Sequence, residues 1–188
     1  GCYFTVFARQ TLSLKAQIPP DGLPIQEAWK LLQPVFYQVG RYHREGKYSG
    51  GFGLRDIHRP PGKAAYLVRF DDRQFREAQD WKEGGRLRLD LSFAPEAPGW
   101  QGQVPPAADQ AVLARILIEV SLGKGLEPIP SIMLHQLDHP RILSLWLSLA
   151  DRLAPAHALL QRMCQPRPEQ RFPTLGEAYV RLQRALGG

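Results

Sequence analysis

Asp109-Gln110-Ala111-Val112-Leu113-Ala114-Arg115-Ile116-Leu117-Ile118-Glu119-Val120-Ser121-Leu122-Gly123 is the stretch that decides the fold. Between Ala111 and Leu122 the run is apolar almost throughout, with Arg115 and Glu119 as its charged members. A helix that is hydrophobic on every side belongs in the centre of a domain. Asp109 is a good N-cap residue, and Gly123 is placed to stop the helix.

Upstream, the spacing predicts a second long helix from about Pro24 to Arg44. Ile25, Ala28, Trp29, Leu32, Phe36, Val39 and His43 recur at intervals of three and four. Pro24 suits the first turn, Pro34 predicts a kink, and Gly46 ends the run. Residues 47–62 are loop-like. Arg55–His58 and Ala64–Phe70 are expected to pair as a short hairpin. Downstream, three helices are expected at about 140–153, 155–164 and 174–186. Tyr3–Phe7 reads as a strand, and Leu12 and Leu14 as a short turn or helix ending at Pro19-Pro20. Leu87, Leu89 and Leu91 read as a further extended stretch. The expected fold class is mainly α with a few short β-strands.

The chain has 188 residues, 44% of them hydrophobic and 22% charged, which excludes a disordered chain. Twenty-four Lys and Arg oppose eighteen Asp and Glu, for a net charge of +6. Acids are interleaved among the bases, so a solvated face of mixed charge is favoured over a nucleic-acid stripe. Two cysteines, Cys2 and Cys164, cannot build a disulfide framework, which fits a reducing, cytoplasmic setting. No apolar run is long enough to span a membrane. His135 and His139 are four apart beside Asp138, but no third metal ligand stands out. Cys164 falls at an apolar helix end and reads as core.

The order of four motifs resembles the C-terminal lobe of a protein kinase. Ala94-Pro95-Glu96 looks like the family's Ala-Pro-Glu motif. Asp109 follows at the start of a buried helix. Pro168-Glu169-Gln170-Arg171-Phe172-Pro173-Thr174 is similar to the family's late Arg-containing stretch, and Tyr42-His43-Arg44-Glu45-Gly46 resembles the helix end before the catalytic loop. The resemblance implies a single kinase-like lobe over 1–188. Residues 1–10 would be the last strand and hinge of the smaller lobe, which otherwise has no counterpart here. Residues 24–45 would be the long helix, 47–70 the catalytic loop and hairpin, and 71–96 the activation segment. Residues 109–122 would be the central helix and 123–188 the C-terminal helices. It implies structural roles for three residues: an ion pair between Glu96 and Arg171, and Asp109 accepting hydrogen bonds from the catalytic-loop backbone.

The same register implies that the chemistry is lost. Kinases need a catalytic Asp, an Asn on the metal, and an Asp in Asp-Phe-Gly. Eight residues after His43 stands Gly51, five further stands Asp56, and eighteen after Gly51 stands Arg69. A glycine carries no base, and a cation opposes a metal ion. A rival register starts from Leu54-Arg55-Asp56-Ile57, with Asp56 as base and Asp71 or Asp72 as metal ligand. Its spacings fit less well: Asp56 to Asp71 is fifteen residues and His43 to Asp56 is thirteen. No glycine-rich phosphate loop is present, and Gly50-Gly51-Phe52-Gly53 sits in the degraded catalytic loop. Ser92 is the one hydroxyl between Asp71 and Ala94, so a phosphorylation switch is not expected.

The resemblance and its losses together imply a pseudokinase acting as a protein-interaction or regulatory scaffold. No nucleotide or cofactor and no metal is expected, and a protein partner is. Arg73, Arg76, Lys82, Arg86 and Arg88 are the candidate partner-binding residues. Two other functions follow from other features. One is an atypical nucleotide-dependent transferase using Asp56 with Asp71 or Asp72. The other is an anion or nucleic-acid binder using the basic face of 41–90, where twelve Lys and Arg oppose eight Asp and Glu.

Overall fold

The computed structural model describes residues 13–73, 93–123 and 140–187. The expected strand and hinge over 1–10, the extended stretch at 87–91, and the 124–139 segment with His135 and His139 lie outside the described residues. The described part is mainly helical. Its helices are α1 (Leu14–Gln17), α2 (Ile25–Arg44), α3 (Ala108–Leu122), α4 (Pro140–Ser148), α5 (Ala150–Leu153), α6 (His157–Met163) and α7 (Leu175–Leu186). β1 (Ile57–His58) and β2 (Tyr66–Leu67) form one small antiparallel sheet. Among the described residues, no helix is long and apolar enough to cross a membrane.

α3 is the axis of the molecule. Fourteen of its fifteen residues are buried, Arg115 included, and it packs against α2, α6 and α7. α2 buries the stripe Ile25, Ala28, Trp29, Leu32, Val35, Phe36 and Val39. α7 buries Leu175, Ala178, Leu182 and Leu186, and Thr174 caps it by accepting the Glu177 amide at 3.1 Å. Polar contacts register α2 against α7: Trp29 Nε1 donates to Gln183 Oε1 at 3.2 Å and Gln33 Nε2 to the same oxygen at 2.6 Å. The C-terminal end of α3 is locked by a close backbone approach. A Cβ at Gly123 would stand 2.3 Å from the Pro20 carbonyl oxygen, and one at Gly22 would stand 2.2 Å from that of Ser121. Both glycines also hold positive φ, so two reasons exclude a side chain there.

Four expectations need correction. Pro24 is the N-cap of α2, just outside the helix. The hairpin is two residues per strand, shorter than Arg55–His58 with Ala64–Phe70. Asp56 Oδ2 accepts the Gly53 amide at 2.8 Å, so residues 53–56 close a turn before the chain can extend. The helix expected over 140–153 breaks at Leu149. There the Leu149 amide is shared between the Leu145 and Trp146 carbonyls, and the Ser148 hydroxyl bonds back to Leu145 O. The helix expected over 155–164 is limited to His157–Met163.

Candidate functional site

Asp109 lies in the first turn of α3 and is completely buried. It does not cap its own helix, as a reading from residue type alone suggests; the N-cap is Ala107, which makes no side-chain bond. Its carboxylate serves the 49–51 turn instead. Oδ1 accepts the Gly50 amide at 2.7 Å and Oδ2 accepts the Ser49 amide at 3.2 Å. His43, at the end of α2, brings its Nε2 to 2.8 Å from Oδ2. A buried carboxylate is tolerable when several donors satisfy it, and here two peptide groups and an imidazole do so.

The 49–51 turn gathers two distant parts of the chain. The buried Ser49 hydroxyl donates to Asp71 O at 2.6 Å and lies 2.9 Å from Gly51 O. Gly51 is bridged to Phe93, and the Ala94 amide donates to Gly50 O at 2.7 Å. Gly50 has φ 64°, a left-handed conformation that glycine adopts without strain. The flanks of the 74–92 segment are therefore both fastened to one three-residue turn. From the sequence, Ser49 opens the triplet that replaces the kinase catalytic motif and offers no Ser/His/Asp triad; its bond to Asp71 has no signal beyond a small hydroxyl residue before a Gly-Gly pair.

Gly51, Asp56 and Arg69 occupy the positions where the kinase register expects chemistry. Gly51 is buried and presents only its backbone. The Asp56 carboxylate closes the 53–56 turn described above. Arg69 Nε forms an ion pair with Asp71 Oδ2, and both side chains are about half exposed. Asp71 Oδ1 accepts the Arg73 amide at 3.1 Å. Beside this pair, Phe70 stacks on Tyr42 of α2 with ring centroids 4.5 Å apart. Arg73 is exposed and Asp72 half-buried. Arg76, Lys82, Arg86 and Arg88 lie outside the described residues.

Glu96 and Arg171 come together near the start of α3, where Arg171 also reaches Ala107 O. Their side chains are 8% and 0% exposed. Arg171 Nη1 donates to Glu96 Oε1 at 2.9 Å and Nη2 to Oε2 at 2.6 Å. The remaining N–H groups reach Gln165 O, Ala107 O and Pro166 O at 2.8, 3.0 and 3.3 Å. All five guanidinium N–H groups thus have acceptors, which lets the cation sit without water.

Arg115 contrasts with Arg171. It is equally buried on α3, yet its Nε has no hydrogen-bond partner and lies 3.9 Å from Glu119 Oε1. Its Nη2 donates to Phe52 O at 3.5 Å. Burial lowers its pKa from the ordinary arginine value, opposed by the charge of Glu119. Cys164 is also fully buried, and burial pushes its thiol up to about 12. Such a thiol is inert packing at neutral pH. Among the described residues, no three His, Cys, Asp or Glu side chains converge as metal ligands. Comparison with protein-family models and with curated proteins returned no match.

Proposed function

We propose that the chain is a kinase-like helical lobe that has lost phosphotransfer and serves as a protein-interaction scaffold. The observation that carries this reading is the Arg69–Asp71 ion pair. At the position where the resemblance calls for a metal-binding acid, the chain has a cation tied to its own acid. A divalent ion there would meet a guanidinium charge, and the neighbouring carboxylate is already engaged. Gly51 offers no base in the companion position.

The contacts of Asp109 and of Glu96 with Arg171 support the same reading. They are costly buried polar arrangements that serve shape rather than chemistry. They hold the 49–51 turn and the 93–97 stretch in fixed relation to α3. Asp56 and Asp71 are the acids an atypical transferase would use. The Gly53 amide on Asp56, and Arg69 with the Arg73 amide on Asp71, favour structural roles for both. The proposal includes a cytoplasmic setting and a protein partner, with Arg73 and the basic residues that follow it as contact candidates.

Thermal melting with and without Mg-ATP tests the reading. No change in Tm is expected at millimolar nucleotide. A reproducible Mg-dependent rise in Tm that disappears in Asp56→Ala overturns it in favour of the transferase.

A further inference from the structure

Phe172 is 2% exposed, yet two exposed arginines lie over its ring. The Arg162 guanidinium carbon, from α6, is 4.3 Å from the ring centroid, and that of Arg181, from α7, is 5.4 Å away. The ring is a fixed platform. The Phe172 amide donates to Gln110 Oε1 at 3.2 Å, and Gln110 Nε2 donates back to Phe172 O at 2.8 Å. Gln110 is itself buried on α3, so the backbone under the ring is anchored to the core.

The two cations are not equally compensated. Glu177 takes Arg181 through two bonds, at 3.0 and 2.8 Å. Arg162 donates to Arg171 O at 3.4 Å, and no carboxylate among the described residues pairs with it. Two guanidiniums thus share one ring against one carboxylate. Stacking on an aromatic face holds a guanidinium in place while leaving N–H groups at its rim for an oxyanion. Holding Arg162 still in advance lowers the entropy lost when a ligand docks.

We infer that this α6–α7 surface binds a carboxylate side chain of an acidic peptide segment, with Arg162 as the primary contact. The residual charge of one matches a single carboxylate. A phosphate dianion would overcompensate that charge and be repelled about twice as strongly by Glu177. The inference stands on this surface alone and does not depend on the kinase-like reading.

The test is an NMR titration of the arginine Nε–H signals with a blocked hexaglutamate peptide. A saturating shift is expected at Arg162, with a smaller one at Arg181 and none that saturates at the exposed Arg41. Arg162→Gln should weaken binding roughly tenfold or more, as expected for loss of a charge-assisted bond. Glu177→Gln, which removes the internal competitor, should tighten it. Equal responses at Arg41 and Arg162 overturn the inference. So does unchanged affinity in Glu177→Gln, or an equal response at Arg162 to inorganic phosphate at matched ionic strength.

Discussion

Arg171 and Glu96 stand 75 positions apart in sequence and are joined by two parallel hydrogen bonds of 2.9 and 2.6 Å in a site almost closed to solvent. The pair fastens the 94–97 stretch to the chain just before α7. Removing either partner leaves the other charge buried alone. Glu96→Ala or Arg171→Ala should each cost about 3–5 kcal/mol. The double variant should cost clearly less than the sum. Urea unfolding of the four-member cycle measures this, and additive losses would show that the pair is not coupled.

Asp109 satisfies two peptide N–H groups and faces an imidazole at once. Asp109→Ala strips acceptors from groups that water cannot reach. A loss of about 2–5 kcal/mol is expected, from roughly 1–3 kcal/mol per buried group left unbonded. Asp109→Asn should cost less, because one amide oxygen can still accept from Gly50. The urea midpoints of the two variants decide the order.

Ser49 links the 49–51 turn to Asp71 through a single hydroxyl. Ser49→Ala should cost about 1–2 kcal/mol and leave the global fold intact. Amide exchange should quicken at Gly51, whose N–H faces the hydroxyl at 3.4 Å, before it does so in α3. Uniform quickening across the chain would place the effect in global stability rather than in this clasp.

Cys164 provides a pH signature. Its thiol is pushed up to about 12 by burial, above the ordinary thiol value of 9.0 that an unfolded chain would show. Between those values the unfolded state has released its proton and the native state has not. The contribution is therefore fully present below about pH 9 and is lost as pH rises toward 12. The slope is at most about 1.4 kcal/mol per pH unit. Stability measured from pH 8 to 11 should fall less steeply in Cys164→Ala than in the parent. Parallel curves would contradict the burial of the thiol.

The readable parts of this molecule are those where one physical rule dominates. α3 is legible because nothing but the core accepts a helix apolar on all sides. α2 and α7 are legible because their stripes recur at helical spacing. Asp109 is half legible, since a cap and a loop acceptor both call for a carboxylate at a helix start. The kinase resemblance points to the loop acceptor, and the fold puts the Ser49 and Gly50 amides on that carboxylate. The hairpin reads too long because the pattern of Arg55–His58 cannot reveal that the Asp56 side chain bonds Gly53. The break at Leu149 is equally hidden, because the Ser148 hydroxyl competes with the backbone only once the helix has formed. The Ser49–Asp71 bond and the Arg162–Phe172–Arg181 cluster have no sequence signal, since each depends on partners remote in sequence.

On the scaffold reading proposed above, Asp56 and Asp71 hold the shape of the chain and do not transfer phosphoryl groups. Intact-mass spectrometry after prolonged incubation with ATP and either Mg²⁺ or Mn²⁺, alone and with a generic protein acceptor, tests it most directly. No phosphoryl addition to the chain or to the acceptor is expected. Stoichiometric phosphorylation that is abolished in Asp56→Ala would contradict it.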